Sequence, residues 1–322
     1  MNRQQRACID GVLLLDKPAG ITSNDALMRV RRLLNAKKAG HGGTLDPMAS
    51  GLLPIAFGEA TKFAHEALDA DKAYLAELTL GIVTATGDAE GEVVERARVE
   101  ATEQAIRAAC AAFVGEIEQV PPMHSALKRD GRPLYEYARA GQSVERAPRR
   151  VTIHAIEVLS VQDQPGVPTG EPGSVRVSLR VACSKGTYVR TLAEDIGRRL
   201  GCGAFLSGLR RERVGALLLE QAITLQALEA QAPESRLAWL LPADLMLGGL
   251  RNVDLEAGLA QRFLHGQRLR LAPAGERAAH RGGERVRVYR AGTLLGTGLL
   301  DDGLLVPQRL IDTAAAPATS AP

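Results

Sequence analysis

The sequence predicts an α/β (α+β) protein, in which a larger region of mixed strands and helices precedes a small all-β domain. Three observations lead there. From Val175 onward, Val177, Leu179, Val181 and Cys183 alternate with Arg176, Ser178, Arg180, Ala182 and Ser184, the period-two pattern of a strand with one buried face. That stretch passes through Lys185-Gly186-Thr187 into a helix running from Tyr188 to about Leu200, with Gly201 at the position that favours a left-handed cap. Beyond Leu241-Pro242 the chain changes to short alternating runs separated by turns.

The elements follow in order. Residues 1–10 are polar and read as a loose start. Gly11–Leu15 is a short apolar strand, stopped by the Pro and Gly of Asp16-Lys17-Pro18-Ala19-Gly20. Ser23 or Asn24 then caps a helix to about Leu34, with Ala26, Leu27, Val30 and Leu34 on one face. Residues 38–54 are rich in Gly and Pro and read as a loop. Residues 73–82 read as a strand, Thr102–Phe113 as a helix, and 151–161 with 174–183 as a strand pair whose connection, QDQPGVPTGEPG, is a hairpin tip. Arg285–Arg290 and Leu294–Leu300 are strands of the terminal domain, placed at 250–312, and residues 313–322 form a disordered tail.

Composition excludes several classes. With 322 residues, 45% apolar and 24% charged, the chain is neither wholly disordered nor a small disulfide scaffold. Cys8, Cys110, Cys183 and Cys202 stand far apart without a CxxC pair, and the six His lack ligand spacing, which argues against a structural zinc site and a secreted disulfide framework. Apolar runs such as Val12–Leu15 fall far short of the roughly 18 residues of a membrane span. The expectation is a soluble, cytoplasmic protein with no membrane association.

Charge is more informative in its distribution than in its total. The chain carries +3, yet segment 28–38 alone carries +5, and segments 128–150 and 185–213 carry +4 each. Clustered cations on a nearly neutral protein suggest a footprint for a polyanion.

Two clusters have the residue types for chemistry. In Gly40-His41-Gly42-Gly43-Thr44-Leu45-Asp46-Pro47, Pro47 keeps the Asp46 carboxylate on extended backbone, and the glycines allow a ligand or another backbone to approach. In Cys183–Thr191, Arg190 falls in the first turn of a helix, where the dipole does not favour a cation, so a carboxylate partner is expected.

With their surroundings, these clusters resemble the bacterial tRNA pseudouridine-55 synthase family. The resemblance is carried by GVLLLDKPAGITSNDAL (11–27), AGHGGTLDPMASGLLPIAFGEATK (39–62), DKAYLAEL (71–78), QVPPMHSALKRDGRPLYEYARAG (119–141) and CSKGTYVRTLAEDIGRRLGCGAFLSGLRR (183–211). The C-terminal segment resembles the small β-domain called PUA. The chain departs from the family pattern at Gly42, where a Thr is usual, and at His124, where a Tyr is usual.

The resemblance implies a catalytic domain over 1–249 built on a mixed, largely antiparallel sheet with flanking helices, an RNA-clamping insertion at about 124–150, and a PUA-like β-barrel over 250–312. It implies conversion of uridine to pseudouridine in the T-arm of tRNA by a monomer with no evident protein partner. The reaction neither gains nor loses atoms, so no redox cofactor, ATP or metal is called for. Asp46 is implied as the catalytic carboxylate, acting as nucleophile or base, with Arg190 as its counter-ion and Tyr74 as a ring that stacks on the uracil and a hydroxyl near its C5 proton. Leu209 is implied as an apolar wall and Tyr188 as a substrate contact. His41 would brace the stack vacated when the base flips out. Lys17 and Lys62 would hold phosphates or the active-site loop, while Lys128, Arg149 and Arg150 would grip the RNA. Two rivals share some of these features. One is a non-catalytic RNA-binding protein; the other is a nucleotide or sugar-phosphate hydrolase using the glycines at 40–43.

Overall fold

A computed structural model describes residues 6–125, 127–164, 173–271 and 283–312. The chain begins with β1 (Gly11–Lys17) and α1 (Ser23–Leu33), then β2 (Ala39–His41) and β3 (Ser50–Phe57). A 3-10 turn leads into α2 (Ala64–Asp69), followed by β4 (Lys72–Leu80), the small pair β5 (Ile82–Thr84) and β6 (Val93–Arg96), α3 (Glu103–Ala111) and β7 (Gly115–Gln119). A second small pair, β8 (Lys128–Arg129) and β9 (Arg132–Pro133), precedes α4 (Leu134–Arg139). The long strands β10 (Arg149–Gln164) and β11 (Ser174–Cys183) come next, then α5 (Val189–Arg199), β12 (Ala204–Val214), β13 (Leu217–Leu218), β14 (Ile223–Thr224) and α6 (Leu225–Ala230).

Ten of these strands form one sheet in the order β14-β1-β3-β12-β4-β11-β10-β7, with β13 on β12 and β2 on β3. Pairing is antiparallel except between β1 and β14 and between β3 and β12, so the sheet is mixed and largely antiparallel. The sequence shows why β1 lies well inside it. Leu13 and Leu15 enter one core cluster, and Val12 and Leu14 enter another on the opposite face, as a continuous apolar run requires of a strand covered on both sides. β4 and β11 keep strict alternation: Tyr74, Ala76 and Leu78 share a core with Val177, Leu179, Val181 and Ile196 of α5.

Several expectations need correction. The cap of α1 is Thr22, whose hydroxyl accepts from Asp25 N–H, while the Asp25 carboxylate accepts from Thr22 N–H. Ser23 lies one residue too far into the helix for that role, and Asn24 two. Residues 38–54 are not one loop. β2 and β3 pair there, with Ala39 opposite Phe57 and His41 opposite Ile55, leaving 42–49 as the loop. Pro54 hid β3 from a reading based on breakers, and it sits just where the β2 ladder stops. The hairpin tip between β10 and β11 lies largely outside the described residues, as do residues 313–322.

The terminal region contains β15 (Arg251–Asp254), α7 (Ala257–Leu264), β16 (Leu269–Arg270), β17 (Glu284–Arg290), β18 (Thr293–Asp301) and β19 (Leu304–Leu310). The strands form a curled half-barrel in the order β15-β17-β18-β19-β16. The region is not all-β, because α7 contributes Ala260 and Phe263 to the core of Val286, Val288, Leu295 and Leu305. It docks on the segment before β4 and on the turn at Ala243–Leu247. Arg285 grips both oxygens of the Glu66 carboxylate, Asp312 N–H donates to Glu59 at 2.7 Å, and Tyr289 hydroxyl donates to Asp244 at 2.6 Å.

Gly51 explains how β3 and β12 come together. Its φ is +103°, and a Cβ there would meet the Arg211 backbone oxygen at 2.4 Å and nitrogen at 2.6 Å. Gly51→Ala is therefore expected to destabilise the protein by about 3 kcal/mol or more, combining overpacking with backbone strain. Denaturant unfolding of the two proteins measures the difference.

Candidate active site

The loop 42–49 is held from several sides. Leu45 and Ala49 are buried in the core that includes Val189 and Tyr74. Ser23, at the start of α1, donates from its hydroxyl to Leu45 carbonyl at 2.9 Å and accepts from Leu45 N–H at 2.8 Å. Gly20 N–H donates to Pro47 carbonyl at 2.8 Å. From below, the buried guanidinium of Arg211 donates to the carbonyls of Leu52 (2.8 Å), Gly43 (3.2 Å) and Thr44 (3.4 Å). Asp46 projects from a loop whose backbone is tethered at Gly43, Thr44, Leu45 and Pro47. The carbonyls of Gly43 and Thr44 thus face a cation. A phosphate cradle needs N–H groups aimed at its ligand, and the hydrolase reading loses its support.

Opposite Asp46, the amphipathic helix α5 delivers Arg190 from its buried face. One guanidinium nitrogen, Nη2, lies 3.1 Å from Asp46 Oδ2 and donates to His124 carbonyl at 2.6 Å. The other, Nη1, lies 3.1 Å from Asp88 Oδ2. Asp88 is itself buried, and its Oδ1 accepts from Thr86 hydroxyl (2.5 Å) and Glu90 N–H (3.1 Å). The carboxylate partner expected for Arg190 is present twice. Asp88 was missed because Thr84–Gly91 has the composition of an ordinary surface turn. Its only sequence signal is an acid among Thr and Gly residues that could orient it.

Burial pushes the Asp46 carboxyl above the ordinary aspartate value; Arg190 opposes that push, Asp88 adds to it, and Lys17 opposes it. About 39% of the Asp46 side chain remains exposed.

Asp46, Tyr74, Tyr188, Arg190 and Leu209 line one pocket of about 270 Å³, joined by Lys72 and Arg211. Tyr74 comes from β4, Leu209 from β12 and Tyr188 from the junction between β11 and α5. Burial raises the Tyr74 phenol, with the adjacent Arg211 guanidinium opposing, so it is neutral near pH 7. Lys72 is buried, donates to the carbonyls of Leu68 (2.6 Å) and Ala70 (2.5 Å), and is lowered by burial to about 8.

The remaining candidates fall elsewhere. Lys17 is fully buried and donates to the carbonyls of Pro18 and Ile21, both at 2.8 Å. It braces the loop whose Gly20 holds Pro47 and is not exposed to a phosphate. Lys62 pairs with Glu59 (2.6 Å) and donates to Leu310 carbonyl (2.8 Å), which makes it a tie to the terminal half-barrel, away from the pocket. His41 is half-buried on β2, does not line the pocket, and has a buried Nδ1 without a partner. Lys128 is exposed on β8. Arg149 and Arg150 are adjacent on β10 and part company. Arg150 faces Glu116 and Glu118 at 3.4 and 3.7 Å, whereas Arg149 bears electrostatically on the Tyr188 phenol. Much of the charge in 185–213 is also internal, since Arg190 and Arg211 are buried and Arg210 is paired with Asp16 at 2.7 Å.

The two departures have structural readings. A Cβ at Gly42 would meet Ala67 Cβ at 2.5 Å, so the glycine packs the loop against α2 instead of loosening it. Position 124 serves Arg190 through its backbone carbonyl, a contact indifferent to the side chain.

A mixed sheet with a carboxylate–guanidinium pair in a central pocket is an arrangement suited to chemistry on a single small group. Comparison with known proteins gives the family. The model of the TruB family pseudouridylate synthase N-terminal domain matches residues 31–189. Models of the tRNA pseudouridylate synthase B C-terminal domain and of the pseudouridine synthase II TruB C-terminal region match 190–247 and 252–311. This chain belongs to the TruB family of pseudouridine synthases. It is 58% identical over 314 residues to tRNA pseudouridine synthase B of Burkholderia mallei, covering 97% of each chain. It is 56% identical to the protein of that name from Ralstonia nicotianae, covering 96% of each. Among solved structures, an H/ACA RNP bound to a substrate RNA containing 2′-deoxyuridine is similar with a TM-score of 0.69 and 26% identity, over 95% of this chain and 87% of that one. A Cbf5-Nop10-Gar1 complex is similar at 0.65 and 28%, over 90% and 78%.

The opposed influences on Asp46 give a test independent of turnover. Removing the neighbouring anion with Asp88→Asn is expected to lower the Asp46 titration midpoint, and removing the cation with Arg190→Met to raise it. Carbon-detected NMR of the Asp46 carboxyl reads both; shifts in the same direction would contradict the arrangement.

Proposed function

We propose that this pseudouridine synthase isomerises the uridine at position 55 in the T-arm of tRNA, with Asp46 as the carboxylate acting on the sugar. The observation that supports this most is the Asp46–Arg190 pair, backed by the buried Asp88, in a pocket just under the roughly 300 Å³ at which small-molecule sites begin. That is the scale of one nucleoside, so a base must leave its stack to reach Asp46, at a cost of a few kcal/mol.

In the reaction the N1–C1′ bond breaks, the uracil turns, and C5 bonds to C1′. C5 loses a proton and N1 gains one, so atoms balance. Asp46 acts as an anion on the ribose, by attack or by proton removal. Arg190 favours the anion and fixes its direction with a planar fork. The Tyr74 ring supports the base on one side, with Leu209 as the apolar wall. Its neutral hydroxyl, beside Arg211, is suited to passing on the C5 proton. Because the active form is the carboxylate, turnover falls as pH drops through the Asp46 midpoint, and the fall begins above the pH of an ordinary aspartate.

Residues 1–249 are read as the catalytic unit, with the insertion at about 124–150 clamping the RNA, and 250–312 as an RNA-binding unit. The basic outer face of α1 and the exposed cations of the insertion, Lys128 among them, suit a phosphate backbone.

The central experiment incubates the purified protein with an unmodified tRNA transcript and maps pseudouridine at single-nucleotide resolution. Conversion confined to the T-arm is expected; none there would refute the assignment. Asp46→Asn is expected to bind tRNA normally and lose at least three decades of single-turnover rate, which needs only about 4 kcal/mol of lost transition-state stabilisation. A variant keeping more than about a tenth of the rate would remove Asp46 from its role. The two arginines of β10 should separate. Arg149→Gln is expected to weaken tRNA binding and reduce the salt-dependence slope by about one, whereas Arg150→Gln, already facing two carboxylates, should change the slope by less than about half. Affinities at several salt concentrations measure both.

A further inference from the structure

Gln119 ends β7 and is 2% exposed. Its amide is joined to the backbone of Tyr188 at both ends. Tyr188 N–H donates to Gln119 Oε1 at 3.0 Å, and Gln119 Nε2 donates to Tyr188 carbonyl at 3.3 Å. Tyr188 is the N-cap residue of α5, and no side-chain cap secures that end of the helix. Arg190 follows two residues later. The segment leaving β7 then returns to the same place, where His124 carbonyl accepts from Arg190.

We propose that Gln119 is a positioning residue for the catalytic pair: it fixes the first turn of α5, and with it the direction in which Arg190 meets Asp46. The inference rests on the roles given above to Asp46 and Arg190. An amide offers one donor and one acceptor with the spacing of a peptide group, so the pair extends the sheet by one rung onto the helix start. A carboxylate supplies no donor and sets an anion against the Tyr188 carbonyl. A thioether supplies neither bond: Tyr188 N–H loses its acceptor, while Tyr188 carbonyl keeps only the N–H of Leu192 at 3.1 Å. The hydroxyls just before the helix are engaged elsewhere: Ser184 Oγ accepts from Thr152 N–H and Thr187 hydroxyl donates to Ser184 carbonyl.

The test uses the full chain with Gln119→Met, which keeps the volume, and Gln119→Glu, which also keeps the shape. Both are expected to lower the saturating single-turnover rate by about thirtyfold or more, as a misdirection of about an ångström can, while tRNA affinity stays within about twofold. In the free protein, exchange of the Tyr188 amide hydrogen should quicken at least about tenfold in Gln119→Met, with the amides of 192–199 still protected. A wild-type rate in either variant, an affinity loss as large as the rate loss, unchanged Tyr188 exchange, or loss of protection throughout α5 in both variants would each overturn the proposal. Absence of pseudouridine with the wild-type protein would instead refute the parent assignment, and the exchange measurement would still decide what Gln119 holds.

Discussion

The site depends on one buried guanidinium shared between two carboxylates. Arg190 reaches Asp46, Asp88 and the His124 carbonyl, three groups from separate chain segments. A lone cation at that depth would carry a desolvation cost of several kcal/mol. Two acids and a carbonyl offset it only when all are in place, so the interaction makes three loops interdependent. Lysine would not serve. Its charge would survive, but a single ammonium cannot present separate nitrogens to two acids in fixed directions.

A second buried guanidinium has the complementary task. Arg211 touches no carboxylate among its hydrogen-bond partners. It collects carbonyls from Gly43, Thr44 and Leu52 and so holds the backbone beneath Asp46. One arginine sets the electrostatics of the acid and the other sets its position. Their separate elements, α5 and β12, pack against each other through Gly197, where a Cβ would meet the backbone of Gly203 and Ala204 at 2.3 to 2.4 Å.

The architecture was legible where periodicity was clean. β4, β10 and β11, the buried face of α1, and α5 with its Gly201 cap follow from alternation and helical spacing. β3 was not legible, because Pro54 and the surrounding glycines read as punctuation although every residue from Gly51 to Phe57 is buried. α7 was hidden in a stretch too short to outweigh the strands around it. Of the site, Asp46, Tyr74, Tyr188, Arg190 and Leu209 could be named from motif resemblance, and helix electrostatics alone called for an acid near Arg190. Asp88 could not be found, since its role exists only once α5 and the turn after β5 are neighbours. Nor could the burial of Lys17 or the tie made by Lys62 be found, because a lysine in sequence gives no sign of which carbonyls will surround it.

The six residues of α2 touch much of what matters. Glu66 is gripped by Arg285 of the half-barrel, Ala67 fills the space left by Gly42, Leu68 lines the pocket, and Asp69 pairs with Lys185 at 2.9 Å. Successive residues of one short helix therefore index the terminal sheet, the loop that carries Asp46 and the pocket mouth against a common reference. A ligand long enough to lie on both sheets is measured by that helix: its far end and its reacting end are set in one frame, and a shift of one turn at α2 would put the whole scale out of register.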